Sequence, residues 1–99
     1  MITYEVTATV RDDLRSRYEV FMRERHIPDV LLTGLFASAH LLRGDDGRFR
    51  IRYDLLDRPS LERYLATHAS RLRADFAAHS PEGVELARDV WSELIAWPH

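Results

Sequence analysis

Residues 2–10 alternate along the chain. Ile2, Tyr4, Val6, Ala8 and Val10 fall on one side, and Thr3, Glu5, Thr7 and Thr9 on the other. A period of two belongs to a strand with one apolar face. Next, Leu14, Tyr18, Phe21 and Arg25 repeat at helical spacing with Met22 at the edge of the stripe, after Asp12 or Asp13 as the expected cap. Pro28 is expected to end this helix, because a residue before proline is pushed out of the α region. One further turn over 29–32 is expected before Gly34 breaks the chain.

Residues 35–43 read as a second strand, Gly44-Asp45-Asp46-Gly47 as a hairpin turn, and 48–56 as a third strand. In the third strand Phe49, Ile51, Tyr53 and Leu55 oppose Arg48, Arg50, Arg52 and Asp54. Asp57 caps a second helix reaching about Ala78, with Pro59 in its first turn and Leu61, Leu65, Leu72 and Phe76 as its buried stripe. Pro81 and Gly83 precede a last strand over 84–97. The order is β-α-β-β-α-β, an α+β, ferredoxin-like arrangement: a four-stranded antiparallel sheet with two helices on one face, in a single domain spanning 1–99.

Two helices cover only one face of such a sheet. The other face carries Glu5, Thr7, Arg50 and Arg52, together with Trp91 and Trp97 from the last segment. Two tryptophans beside a polar sheet face predict a cover, most simply a second copy in a homodimer. The alternative is a monomer whose tryptophans fold over an edge.

Composition narrows the function classes. With 45% hydrophobic residues the 99-residue chain can fold, and its net charge of −2 gives no general attraction to nucleic acid or an anionic membrane. No apolar run is long enough to span a bilayer, and the N-terminal residues lack a signal-peptide pattern, so a cytoplasmic location is expected. There is no cysteine, hence no disulfide, thiolate nucleophile or cysteine metal site. All 14 basic residues are Arg. GC-rich coding explains this, and so does a need for guanidinium forks that grip carboxylate or phosphate.

The stretch Arg25-His26-Ile27-Pro28-Asp29-Val30-Leu31-Leu32-Thr33-Gly34-Leu35-Phe36 resembles the His-Ile-Pro-x-x-x-x-x-Gly segment that follows the first helix in several dimeric α+β barrel proteins. With Arg63-Tyr64-Leu65-Ala66-Thr67-His68-Ala69-Ser70-Arg71-Leu72-Arg73 it resembles a short bacterial domain-of-unknown-function family spanning the whole chain. Relatives in that superfamily include cofactor-independent monooxygenases acting on polyketide quinols, lactone isomerases, EthD-like proteins, aromatic polyketide cyclases and haem-handling enzymes. The resemblance implies a paired sheet and a small molecule bound between sheet and helices or inside the barrel. It carries over no complete catalytic motif.

Several side chains are candidates for chemistry. His68 sits between Leu65 and Leu72 on an apolar stripe, where desolvation favours a neutral imidazole suited to a general base; the alternative is a core histidine satisfied by one hydrogen bond. His26 is expected at a helix end, either stabilised there by the helix dipole or reaching a pocket under the His-Ile-Pro turn. His40 shares its face with Phe36, Ser38 and Leu42. Arg50 and Arg52 either hold an anionic ligand or bridge to Glu5, Asp54, Asp89 or Glu93 across strands, with Tyr53 as a further orienting group. His68 and Asp75 are seven residues apart, about 10 Å along a helix, too far to share an ion. No metal site and no cofactor are therefore expected. The leading reading is a homodimer that binds a small aromatic or anionic organic molecule and carries out proton transfer or cofactor-independent oxygenation. The alternative is a non-catalytic binding or assembly module, and a haem or metal carrier is a third.

Overall fold

The computed structural model describes residues 1–98. The chain runs β1 (Ile2–Val10), a 3₁₀ turn (Asp12–Leu14), α1 (Arg15–Phe21), a π turn (Met22–His26), α2 (Ile27–Leu31), β2 (Ser38–Arg43), β3 (Arg48–Leu55), α3 (Arg58–Thr67), α4 (Ala69–His79) and β4 (Val84–Ser92). The strands form one antiparallel sheet in the order β2-β3-β1-β4. This is the expected ferredoxin-like α+β order, with each of the two helices divided into two pieces.

Strand alternation decides which residues meet the helices. β3 buries Phe49, Ile51, Tyr53 and Leu55 while Arg48, Arg50 and Arg52 stay exposed. On β1, Ile2, Tyr4, Ala8 and Val10 are buried beside them. Tyr18, Phe21, Met22, Val30, Leu61, Tyr64, Ala69, Leu72 and Phe76 close this core from the helical side. Each large apolar side chain so removed from water stabilises the fold by about 1.5–3 kcal/mol. The β2–β3 hairpin turns where expected: the Gly47 amide donates to the Gly44 carbonyl, and Gly47 has φ +82°, a conformation that glycine adopts without strain.

The structure departs from the sequence pattern in several places. Pro28 does not end the first helix. α1, the π turn and α2 run on continuously, and the Ile27 amide donates to the Met22 carbonyl five residues back. That wide turn shifts the hydrogen-bond ladder just before the proline, which has no amide to donate and lies in the first turn of α2. Asp12 and Asp13 cap nothing; they pair with Arg15 and Arg11 instead. Asp57 does cap α3, accepting from the Ser60 amide at 2.9 Å. The second helix is interrupted at His68 (φ −119°), which rotates the stripe so that Tyr64 is buried and Leu65 lies 40% exposed. β2 starts at Ser38, after the Ala37 amide bonds to the Asp54 carbonyl, and β4 stops at Ser92, so Leu94, Ile95 and Trp97 are exposed and outside the sheet.

The far face of the sheet has no helix over it. Register places His40, Arg52, Glu5 and Asp89 in one row across it, with Ser38, Asp54, Thr3 and Trp91 in the next. Trp91 is 56% exposed there.

A candidate active site between sheet and helices

A cavity lies between the sheet and the helices. Tyr4 and Val6 enter it from β1, Tyr18 from α1, Met22 and His26 from the π turn, and Ile51 and Tyr53 from β3. Tyr64, Leu72, Arg73 and Phe76 come from the second helix, and Leu86 and Arg88 from β4. Its open interior is about 30 Å³. A water needs roughly 10–15 Å³ of such space, so the interior has room for a water or two and not for an organic ring.

The walls are apolar, yet four phenols and an imidazole project from them. The rings pack on one another: Tyr4 lies 6.1 Å from both Tyr53 and Tyr64, and Phe36 bridges Tyr53 and Tyr64 at 5.3 and 4.9 Å. The Tyr4 hydroxyl accepts from the Arg73 guanidinium at 3.0 Å. Among the described residues two buried side-chain polar atoms have no partner: the Tyr18 hydroxyl and Nδ1 of His26. Such atoms each cost about 1–3 kcal/mol in a folded protein, so most buried polar groups are paired. Both residues line the same cavity.

Burial keeps the phenols and the imidazole of the lining neutral. Burial pushes the Tyr18, Tyr53 and Tyr64 phenols up, Tyr64 to about 12, so all three stay protonated at neutral pH. Burial pulls His26 below its ordinary value of 6.5, a shift that Arg88 reinforces and Asp75 and Asp29 oppose. His26 is therefore a neutral imidazole with one ring nitrogen unengaged, the state a general base requires. The helix-dipole reading of His26 fails, because the residue lies inside a continuous helical run.

Of the residues singled out from sequence, the cavity brings together His26 and Tyr53. His68 is half-buried at the break between α3 and α4, with its ring stacked 6.5 Å from Tyr64, outside the lining. Arg50, Arg52 and His40 stand on the open sheet face. Arg50 reaches Glu5 at 3.5 Å, the cross-strand alternative. Phe36 does not share His40's face; it precedes β2 and packs on the helix side. His40 lies 3.9 Å from Asp54, which also accepts from Thr3 and Ser38 at 2.8 and 3.0 Å. Ser38 thus donates to the carboxylate and not to the imidazole, so the three form no nucleophilic relay. Asp75 is taken by Arg25 at 2.5 Å, and His79 stacks on Phe21 at 3.8 Å. Among the described residues no three His, Asp or Glu converge as a metal set. None of the described helices is long and apolar enough to cross a membrane.

The sequence reading missed Tyr4, Tyr18, Tyr64, Arg73 and Arg88. The available signal was tyrosine at positions that pattern as core, at Tyr4, Tyr18 and Tyr53. A phenol on an apolar stripe must find a partner or face a cavity.

Solved structures share the fold. The cofactor-independent oxygenase SnoaB from Streptomyces nogalater matches with TM-score 0.72 and 19% identity, over 99% of this chain and 97% of its own. A structure described as an antibiotic biosynthesis monooxygenase matches with TM-score 0.63 and 18% identity, over 99% of this chain and 100% of its own. A dimeric ferredoxin-like protein from an uncultured marine organism matches with TM-score 0.71 and 13% identity, over 97% of each chain. No curated protein matches the sequence. The family model for a domain of unknown function, DUF4286, matches residues 1–90, most of the chain, as the resemblance to a domain-of-unknown-function family implied. The chain belongs to the DUF4286 family and has the ferredoxin-like fold of these structures.

Proposed function

We propose that this chain binds a small aromatic organic molecule in the cavity between sheet and helices and removes a proton from it, with His26 as the base. One observation carries the reading: two buried polar atoms, the Tyr18 hydroxyl and His26 Nδ1, lack partners and belong to residues lining one cavity. An acidic C–H of a methylene group conjugated with the carbonyl of a bound aryl ketone passes its proton to Nδ1, and Tyr18 donates to the oxygen where the enolate charge collects. Oxygen then reacts with the enolate without a cofactor: one oxygen atom enters the product as a carbonyl and the other leaves in water. The fold shared with a cofactor-independent oxygenase supports this reaction class by analogy only. A ring enters only when the walls part, and the break at His68 offers the place to bend.

The test is oxygen uptake with anthrone as probe, followed by electrode, with anthraquinone measured as product. The reading expects turnover that His26→Gln reduces by about a hundredfold or more. Equal turnover in the two proteins rejects His26 as base, and a lack of both binding and turnover with anthrone and other fused aromatics rejects the reaction class.

The second reading is a non-catalytic dimeric module, favoured by the uncovered sheet face with exposed Trp91. Pairing of two such faces in a homodimer belongs to both readings, and only the first requires His26.

A further inference from the structure

Most cavity-lining residues are buried or half-buried; Arg73 and Arg88 alone are exposed. Those two therefore mark where the cavity meets solvent. They reach the mouth from different elements, α4 and β4. Half of the fourteen arginines stand within ion-pair distance of a carboxylate among the described residues, and these two belong to the other half. Arg43, Arg48 and Arg50 each stand within ion-pair distance of a carboxylate, Glu19, Asp46 and Glu5 respectively, and so do Arg11, Arg15, Arg23 and Arg25. Among the described residues, no carboxylate lies within that distance of Arg73 or Arg88. Arg73 donates instead to the neutral Tyr4 hydroxyl.

We infer that Arg73 and Arg88 form an anion clamp at the cavity mouth, so that the molecule taken up is an aromatic carboxylate or ionised phenol. The inference rests on the cavity reading above and names the substrate class for it. Two guanidinium groups flanking an otherwise neutral lining attract an anion and orient its ring inward. In the free protein the Arg73 guanidinium is held against the Tyr4 hydroxyl. A carboxylate displaces that hydroxyl, because it offers the guanidinium an opposite charge and two oxygens for a bidentate pair, which a single neutral phenol oxygen does not. Binding thereby frees the Tyr4 hydroxyl at the point where the ring must pass. This anion site lies on the opposite face of the sheet from Arg50 and Arg52, for which anion binding is one of two alternatives.

The experiment is calorimetric titration of the full chain with 1-naphthoate and with its neutral counterpart 1-naphthamide. It is repeated with Arg73→Gln/Arg88→Gln, with Arg50→Gln/Arg52→Gln and with Tyr18→Phe/His26→Phe. Exposed arginines are replaced without loss of the fold, which circular dichroism verifies. The clamp requires naphthoate to bind more tightly than naphthamide, on the order of tenfold to a hundredfold. That preference must vanish in Arg73→Gln/Arg88→Gln and persist in Arg50→Gln/Arg52→Gln. Equal binding of the two probes to the native chain overturns the clamp and leaves the cavity reading standing, provided Tyr18→Phe/His26→Phe alters both affinities. A preference lost only in Arg50→Gln/Arg52→Gln also overturns it. Failure of both probes to bind removes the clamp and the cavity reading together.

Discussion

Replacing Tyr18 by Phe separates stability from function in this fold. The Tyr18 ring packs 4.9 Å from Phe49 and 6.1 Å from Phe76, while its hydroxyl is buried without a partner. Phenylalanine keeps the ring contacts and removes only the oxygen. A buried hydroxyl lacking a hydrogen bond costs about 1–3 kcal/mol. Its removal leaves a gap smaller than a methyl group, which returns part of that amount. The net expectation is a gain of about 1 kcal/mol, or a rise in Tm of about 4–8 °C for a chain of this size. Urea unfolding followed by far-ultraviolet circular dichroism measures it. Tryptophan fluorescence is the poorer probe, since Trp91 and Trp97 are exposed. The same variant is expected to bind aromatic ligands more weakly. A loss of 1 kcal/mol or more in stability would refute the reasoning, because it would mean that the hydroxyl is hydrogen-bonded in the folded protein.

Other outcomes follow from the same structure. His26 is held below its ordinary value of 6.5 by burial, so the unfolded chain binds its proton first as pH falls; stability should be full above about 6.5 and decline as pH drops toward the lower folded value, and His26→Phe should flatten that slope in urea midpoints measured from pH 7.5 to 5. Ile51→Ala, at a fully buried position, should cost about 2–5 kcal/mol, whereas Leu65→Ala, at 40% exposure, should cost less than about 1 kcal/mol; a reversed order in urea unfolding would mean that Leu65 is the core residue its spacing suggests. In the homodimer proposed above, Trp91→Glu places a charge on the open sheet face and should weaken association by at least about thirtyfold in sedimentation velocity, while a dimer unchanged by it would place the interface elsewhere and a monomeric native chain would reject the pairing.

The sequence by itself determined the layers. β1 and β3 alternate because one face meets helices and the other does not, and that difference is written in Tyr4, Val6, Ile51 and Tyr53 against Glu5, Thr7, Arg50 and Arg52. The Gly44–Gly47 turn and the Asp57 cap were legible because they rest on local chemistry. Tertiary structure decided the rest. Helical spacing could not show that the ladder slips by one residue at Met22–His26, which carries the helix through Pro28 and sets His26 against the cavity. Nor could it show the interruption at His68, which turns Tyr64 inward and Leu65 outward. The cavity draws on three strands and two helical runs far apart in the chain, from Tyr4 to Arg88, and only packing brings them together. Which arginines pair and which stay open is likewise a three-dimensional fact, since all fourteen look alike in sequence and charge partners are chosen by distance.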